Sequence, residues 1–191
     1  MKGKRLGKLV LLLGAAALGI GLASTPAHAI YSLTPIDADW TSNQTSNCNA
    51  ACVLSVTGIT GLTGLYKQDV GGSEVGSLAG SYTTTFNNAS SAFRITYDGG
   101  AFALCQTCVL VVKDGNQSPA QYFFNLGVAP TTWYGTEQIE GRGFWPNQGA
   151  ISHVALYGKG TSVPEPASLI LLGAGLAGIG IWTWRRNSMK I

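Results

Sequence analysis

Charged side chains are scarce, at 11% of 191 residues, and their placement matters more than the formal balance of +3. Lys2, Lys4, Arg5 and Lys8 crowd one end and Arg185, Arg186 and Lys190 the other. Between Ile30 and Val163 only Lys67, Arg94, Lys113, Arg142 and Lys159 remain, against Asp37, Asp39, Asp69, Glu74, Asp98, Asp114, Glu137 and Glu140. That region is mildly acidic and carries no basic stripe, so no nucleic-acid partner is expected. Histidine is scarcer still, with two residues, His28 and His153. A nucleophile, a base and an orienting acid must converge in space, and one strand histidine beside Ser152 gives no sign of that. A hydrogen-bonded structural ring is the expectation for His153. Neither Asp37 with Asp39 nor Glu137 with Glu140 is spaced as a recognisable acid and base pair. No long helical pattern competes in the middle of the chain, and the length leaves room for one ordinary domain plus processing segments.

The two ends are of another kind. Leu9 to Ala23 is almost wholly apolar or small, follows the cationic start, and leads to Pro26 and then Ala27-His28-Ala29. This order is that of a secretory signal peptide, with Ala27 and Ala29 fitting the peptidase and cleavage expected after Ala29. His28 leaves with it. At the other end, Pro164-Glu165-Pro166 precedes an uncharged run from Ala167 to Trp184 and then Arg185-Arg186. As a helix that run reaches about 27 Å, close to a hydrocarbon core of roughly 30 Å. Trp182 and Trp184 fall where an aromatic belt belongs, and the arginine pair stays cytoplasmic, which puts the body outside. Gly173-Ala174-Gly175-Leu176-Ala177-Gly178 satisfies G-x-G-x-x-G but follows no strand, so no dinucleotide site is read from it. Its small residues four apart would suit close helix pairing.

The order Val163-Pro164-Glu165-Pro166-Ala167-Ser168, an apolar Leu/Gly/Ala stretch, and Arg185-Arg186 resembles the PEP-CTERM sorting signal of Gram-negative bacteria that make extracellular polysaccharide. The resemblance implies processing by a membrane enzyme, exosortase, with Pro164, Glu165 and Pro166 as the recognition element and Arg185 and Arg186 as the inner flank. Two prolines also hold a segment extended and helix-incompatible, a form a peptidase cleft can accept. Within the body, Gly80 to Phe86, Val112 to Ala120 and Gly143 to Gly158 resemble phrases that recur in front of such tails, with no established activity attached.

The body itself is rich in Gly, Ser, Thr and Asn, yet keeps enough β-branched and aromatic residues to fill a core. Strand character runs over 53–57, 82–86, 92–97, 101–104, 108–113, 121–126, 137–139 and 151–157, separated by turns such as Asp98-Gly99-Gly100. The expected fold is all-β, a sandwich or jelly roll over 30–160, flanked by a signal helix in 1–29 and a transmembrane helix at about 167–184 within 161–191.

Four cysteines lie in two close pairs, Cys48 with Cys52 and Cys105 with Cys108. An oxidising compartment and an even count argue for two disulfides, and three connectivities are open, with local pairs favoured. Cys105 and Cys108 can bond across a tight turn but not along one extended strand. A four-thiolate zinc site and a redox C-x-x-C are the alternatives. Trp133, Tyr134, Phe144 and Trp145 lie in a turn-rich stretch, so Trp133, Tyr134 and Trp145 are candidate glycan contacts, with core packing as the commoner role. Asp114-Gly115-Asn116 and the Asp37, Asp39 pair offer oxygen ligands for calcium but also read as ordinary turn chemistry. No cofactor or metal is expected.

These features together predict a non-enzymatic exported surface or matrix protein. Its expected partners are the secretion machinery, exosortase, the membrane and extracellular polysaccharide. The rival readings are a glycan-binding module and a matrix-glycan hydrolase.

Overall fold

The structure is a computed structural model, and it describes residues 30–87, 91–114, 117–128, 132–145, 150–162, 172–173 and 175–177. The signal segment with Ala27 and Ala29, the Pro164-Glu165-Pro166 motif, Arg185 and Arg186 lie outside the described residues. Residues 172–173 and 175–177 are helical. Among the described residues no helix is long and apolar enough to cross a membrane, and most of 167–184 lies outside them.

The strands are β1 (Ile30–Leu33), β2 (Trp40–Ser42), β3 (Thr63–Asp69), β4 (Glu74–Val75), β5 (Tyr82–Asn87), β6 (Ala92–Tyr97), β7 (Phe102–Ala103), β8 (Cys108–Asp114), β9 (Gln121–Asn125), β10 (Gln138–Gly141), β11 (Ile151–Gly158) and β12 (Thr161–Ser162). They form a four-stranded sheet in the order β1-β10-β6-β5, a six-stranded sheet in the order β2-β9-β8-β11-β3-β4, and a two-stranded pair of β12 with β7. Every pairing between these strands is antiparallel except that of β1 with β10.

The two larger sheets share one core. Phe93 and Ile95 of β6, Tyr82 of β5 and Ile139 of β10 meet Leu110 and Val112 of β8, Phe124 of β9, and Val154 and Leu156 of β11. Tyr66 and Tyr82 cross between the sheets with ring centroids 5.6 Å apart. The alternation explains β8, whose seven residues are all buried. Leu110 and Val112 point to this shared core, whereas Val109 and Val111 enter a second cluster with Phe123, Ala155 and Tyr157 on the opposite face. A strand covered on both faces reads as a continuous apolar run, as the sequences of β8 and β11 largely do.

What covers that outer face corrects the sequence reading. Residues 53–57, expected as a strand from Val53, Val56 and Thr57, belong to the helix α1 (Ala50–Thr57). Its limits are set by local chemistry. The Asn49 side chain accepts from the Cys52 backbone N–H at 3.0 Å, and Gly58 closes the far end at φ +72° with its N–H on the Leu54 carbonyl. Cap chemistry at both ends outweighs the mild strand preference of β-branched residues. Val53 is the one buried residue of the helix and joins the outer cluster. Fully burying such a side chain is worth roughly 1.5–3 kcal/mol.

Candidate functional site

The last strand of the body is where sequence and geometry converge. β12 pairs antiparallel with β7, Thr161 opposite Ala103 and Ser162 opposite Phe102, and the Leu104 N–H donates to the Gly160 carbonyl at 3.0 Å. The chain is thus held to the body up to Ser162, directly before Val163 and the proline-flanked glutamate.

This rim is fixed from below by one hydroxyl. Tyr82 is 1% exposed, donates to the Gly135 carbonyl at 2.7 Å and accepts from the Ala103 N–H at 3.0 Å. Burial pushes its phenol well above the ordinary range, so it stays protonated and able to do both. Gly135 has φ +91°, and a Cβ there would stand 2.3 Å from the Ala103 carbonyl oxygen, so glycine alone fits. Beside it, the Trp133 indole N–H donates to the Glu137 carbonyl at 2.8 Å, and the Tyr134 N–H donates to the Glu137 carboxylate at 2.8 Å. Trp133 and Tyr134, with Phe102, Leu104 and Lys159 among others, line a cleft of about 700 Å³.

The cysteines are bonded as the two local pairs. Cys105 and Cys108, with Cα atoms 4.9 Å apart, close the turn between β7 and β8 at the same rim. The turn supplies the approach that one extended strand could not. Cys48 and Cys52, with Cα atoms 5.2 Å apart, tie the segment before α1 to its first turn, and the Tyr157 hydroxyl donates to the Cys48 carbonyl. No free cysteine remains, so neither the zinc alternative nor a dithiol applies to this state. Among the described residues no group of three or more His, Cys, Asp or Glu is placed to hold a metal ion.

Two of the three candidate glycan contacts take the commoner of the two roles considered, packing in the core. Trp133 is 1% exposed and packs on Tyr82, with centroids 6.0 Å apart, while Phe144 is fully buried. Trp145 is 5% exposed, its indole N–H donates to the Pro119 carbonyl at 2.7 Å, and its ring lies 5.1 Å from that of Tyr122. Neither indole offers a free stacking face, because the aromatic spacing of this stretch serves the core between the sheets. Tyr134 differs, at 69% exposed on the edge of the cleft.

His153 lies inside the fold. It is 2% exposed, its Nδ1 lies 3.6 Å from a carboxylate oxygen of Asp69, and its Nε2 has no hydrogen-bond partner among the described residues. The 3.6 Å contact to Asp69 is longer than a hydrogen bond, so the expected hydrogen-bonded ring is not seen among the described residues. Burial first, then the Lys67 and Lys113 ammoniums, hold its pKa down to about 4 against the opposing pull of Asp69. The neighbouring Ser152 hydroxyl donates to the Lys113 carbonyl at 3.1 Å.

The acidic candidates are likewise engaged. Asp37 accepts from the Thr34 N–H and hydroxyl, and Asp39 from the Asn125 N–H at 2.7 Å. Glu140 lies between Arg142 and Arg94, whose guanidiniums hold its carboxyl below the usual range. Of the Asp114 turn, residues 115 and 116 lie outside the described residues.

A mostly β body of two larger sheets and a two-stranded pair, with two disulfides, whose last strand leads at once into a proline-bracketed acidic stem, defines a class: a folded domain carried on a C-terminal processing signal. Residues 162–187 match the family model of the PEP-CTERM protein-sorting motif. The chain carries a PEP-CTERM protein-sorting motif, which implies export, membrane-associated sorting and recognition by exosortase. The match begins inside β12, at Ser162. No curated protein and no solved structure matches the chain.

Proposed function

We propose that this protein is a non-enzymatic surface or matrix component whose β-sandwich ectodomain is delivered by exosortase and associates with extracellular polysaccharide. In this reading a signal peptide is removed after Ala29. Residues 167–184 then tether the precursor with Arg185 and Arg186 inside the cell, and Pro164, Glu165 and Pro166 present the stem for processing. The observation that carries it is the sorting-motif match abutting the last body strand, which leaves the stem next to a disulfide-closed domain. The non-enzymatic part is supported by the use of Ser152, Asp37, Asp39, Glu137 and Glu140 in bonds that hold the fold.

Replacing Pro164, Glu165 and Pro166 together with alanine tests the sorting role. The variant is expected to stay in the inner membrane with its tail intact, and normal trimming would remove the motif from that role. Incubating the exported protein with purified exopolysaccharide tests the rest. Retention without turnover supports the matrix reading, whereas turnover supports a hydrolase.

A further inference from the structure

We infer that the rim formed by Leu104, Tyr134 and Lys159 is a lipid-facing surface, which rests on the headgroup layer of the bilayer while the precursor is still tethered. The inference depends on the proposed tether at 167–184 and adds to it where the body sits.

Covalent reach carries the first step. The backbone is paired into the body through Ser162, and only Val163, Pro164, Glu165 and Pro166 separate it from Ala167, where the apolar run begins. Whatever their conformation, those links span at most about 18 Å from Ser162 to Ala167. The headgroup layer takes up roughly 5 to 8 Å of that. The β7 and β12 edge is therefore confined to within about 13 Å of the membrane surface.

Composition carries the second step. Beside that edge stand Leu104, 48% exposed, and Tyr134, 69% exposed, two large apolar side chains in water at the rim nearest the tether. Lys159 lines the same cleft. A tyrosine with an apolar body and a polar tip, a lysine able to meet phosphate, and a leucine able to enter the acyl boundary are the side chains that interfacial surfaces use. The opposite pole gives an internal comparison. Val70 is 41% exposed, and its N–H bonds to Ser152 beside the start of β11. The length of β11 places it about 23 Å from the rim.

The test uses the full chain inserted in phosphatidylethanolamine and phosphatidylglycerol vesicles, with photoreactive p-benzoylphenylalanine placed in turn at Leu104, Tyr134 and Val70. After illumination, phospholipid adducts are expected at the first two positions on the order of tenfold above the third, as an interfacial rim requires. Equal yields at all three, in a chain that resists alkaline carbonate extraction, would overturn the lipid-facing rim and leave the tether standing. Release by carbonate would overturn the tether and the rim with it. Adducts to the chain's own 163–166 segment, or to added exopolysaccharide in place of lipid, would assign the cleft to that occupant and overturn the proposal.

Discussion

The Tyr82 hydroxyl and the Gly135 carbonyl are 2.7 Å apart in the buried floor of the rim from which the sorting stem departs. Because the same hydroxyl also accepts from the Ala103 N–H, one side chain joins β5, β7 and the loop carrying Trp133 and Tyr134. Tyr82→Phe leaves a buried carbonyl and a buried N–H unpaired. Urea unfolding is expected to show a loss of roughly 2–4 kcal/mol. A change under about 0.5 kcal/mol, the usual size for an uninvolved surface site, would mean the bridge is dispensable.

Tyr134 and Trp145 make a contrasting pair. Trp145→Ala removes an indole packed between Tyr122 and Phe144 and should cost about 3–5 kcal/mol in chemical denaturation. Tyr134→Ala should leave stability within about 0.5 kcal/mol. If the body holds polysaccharide through its remaining exposed aromatic, Tyr134→Ala alone weakens retention on purified exopolysaccharide. Equal retention by the variant and the parent would rule out that contact.

Acid should weaken the fold through His153 before it acts through carboxylates. In an unfolded chain the imidazole takes its proton near its ordinary value of 6.5, whereas in the fold it does so at about 4. Between these values the unfolded state binds more protons, so stability is level above the window and falls as pH drops through it, by up to about 3 kcal/mol. Glu140, whose folded pKa is depressed, contributes stability that is present above its ordinary value of 4.5 and is lost as pH falls through its lower folded value. Urea midpoints measured from pH 7 to pH 4.5 should therefore slope downward in the parent and flatten in His153→Gln. An equal slope in both proteins would remove His153 as the cause.

The Cys48 and Cys52 bond closes only a short loop, so its stabilisation through the unfolded chain is about 2 kcal/mol. Replacing both cysteines with alanine should lower the urea midpoint by that amount and loosen α1. Alkylation and mass spectrometry of the exported protein should find no free thiol. Four alkylated cysteines without prior reduction would contradict the pairing.

Much of the architecture was legible because burial on two faces leaves a strong mark. Strands β8 and β11 are apolar on both sides, and β5 and β6 alternate cleanly, so their positions followed from pattern alone. By contrast, β3 went unseen because Gly64, Lys67 and Gln68 interrupt its pattern, although it lies beside β11 in the larger sheet. Reading α1 as a strand had a detectable remedy, since Asn49 and Gly58 bracket it as caps. Within the site, the close spacing favoured the local cysteine pairs among three open connectivities, but the aromatic stretch did not declare which rings face inward. Trp133, Tyr134, Phe144 and Trp145 look alike in sequence. Only the way the 133–137 turn folds back on β7 separates the exposed Tyr134 from the other three.

The parallel pairing of β1 with β10 has a consequence for the order of assembly. Ile30 lies opposite Gln138, and under the proposed cleavage after Ala29 it would become the new amino terminus. The outermost ribbon of the smaller sheet is thus contributed by the first segment to emerge, yet its docking place is made from one of the last. Under the proposed export that ribbon would wait unzipped until nearly the whole domain had been threaded through.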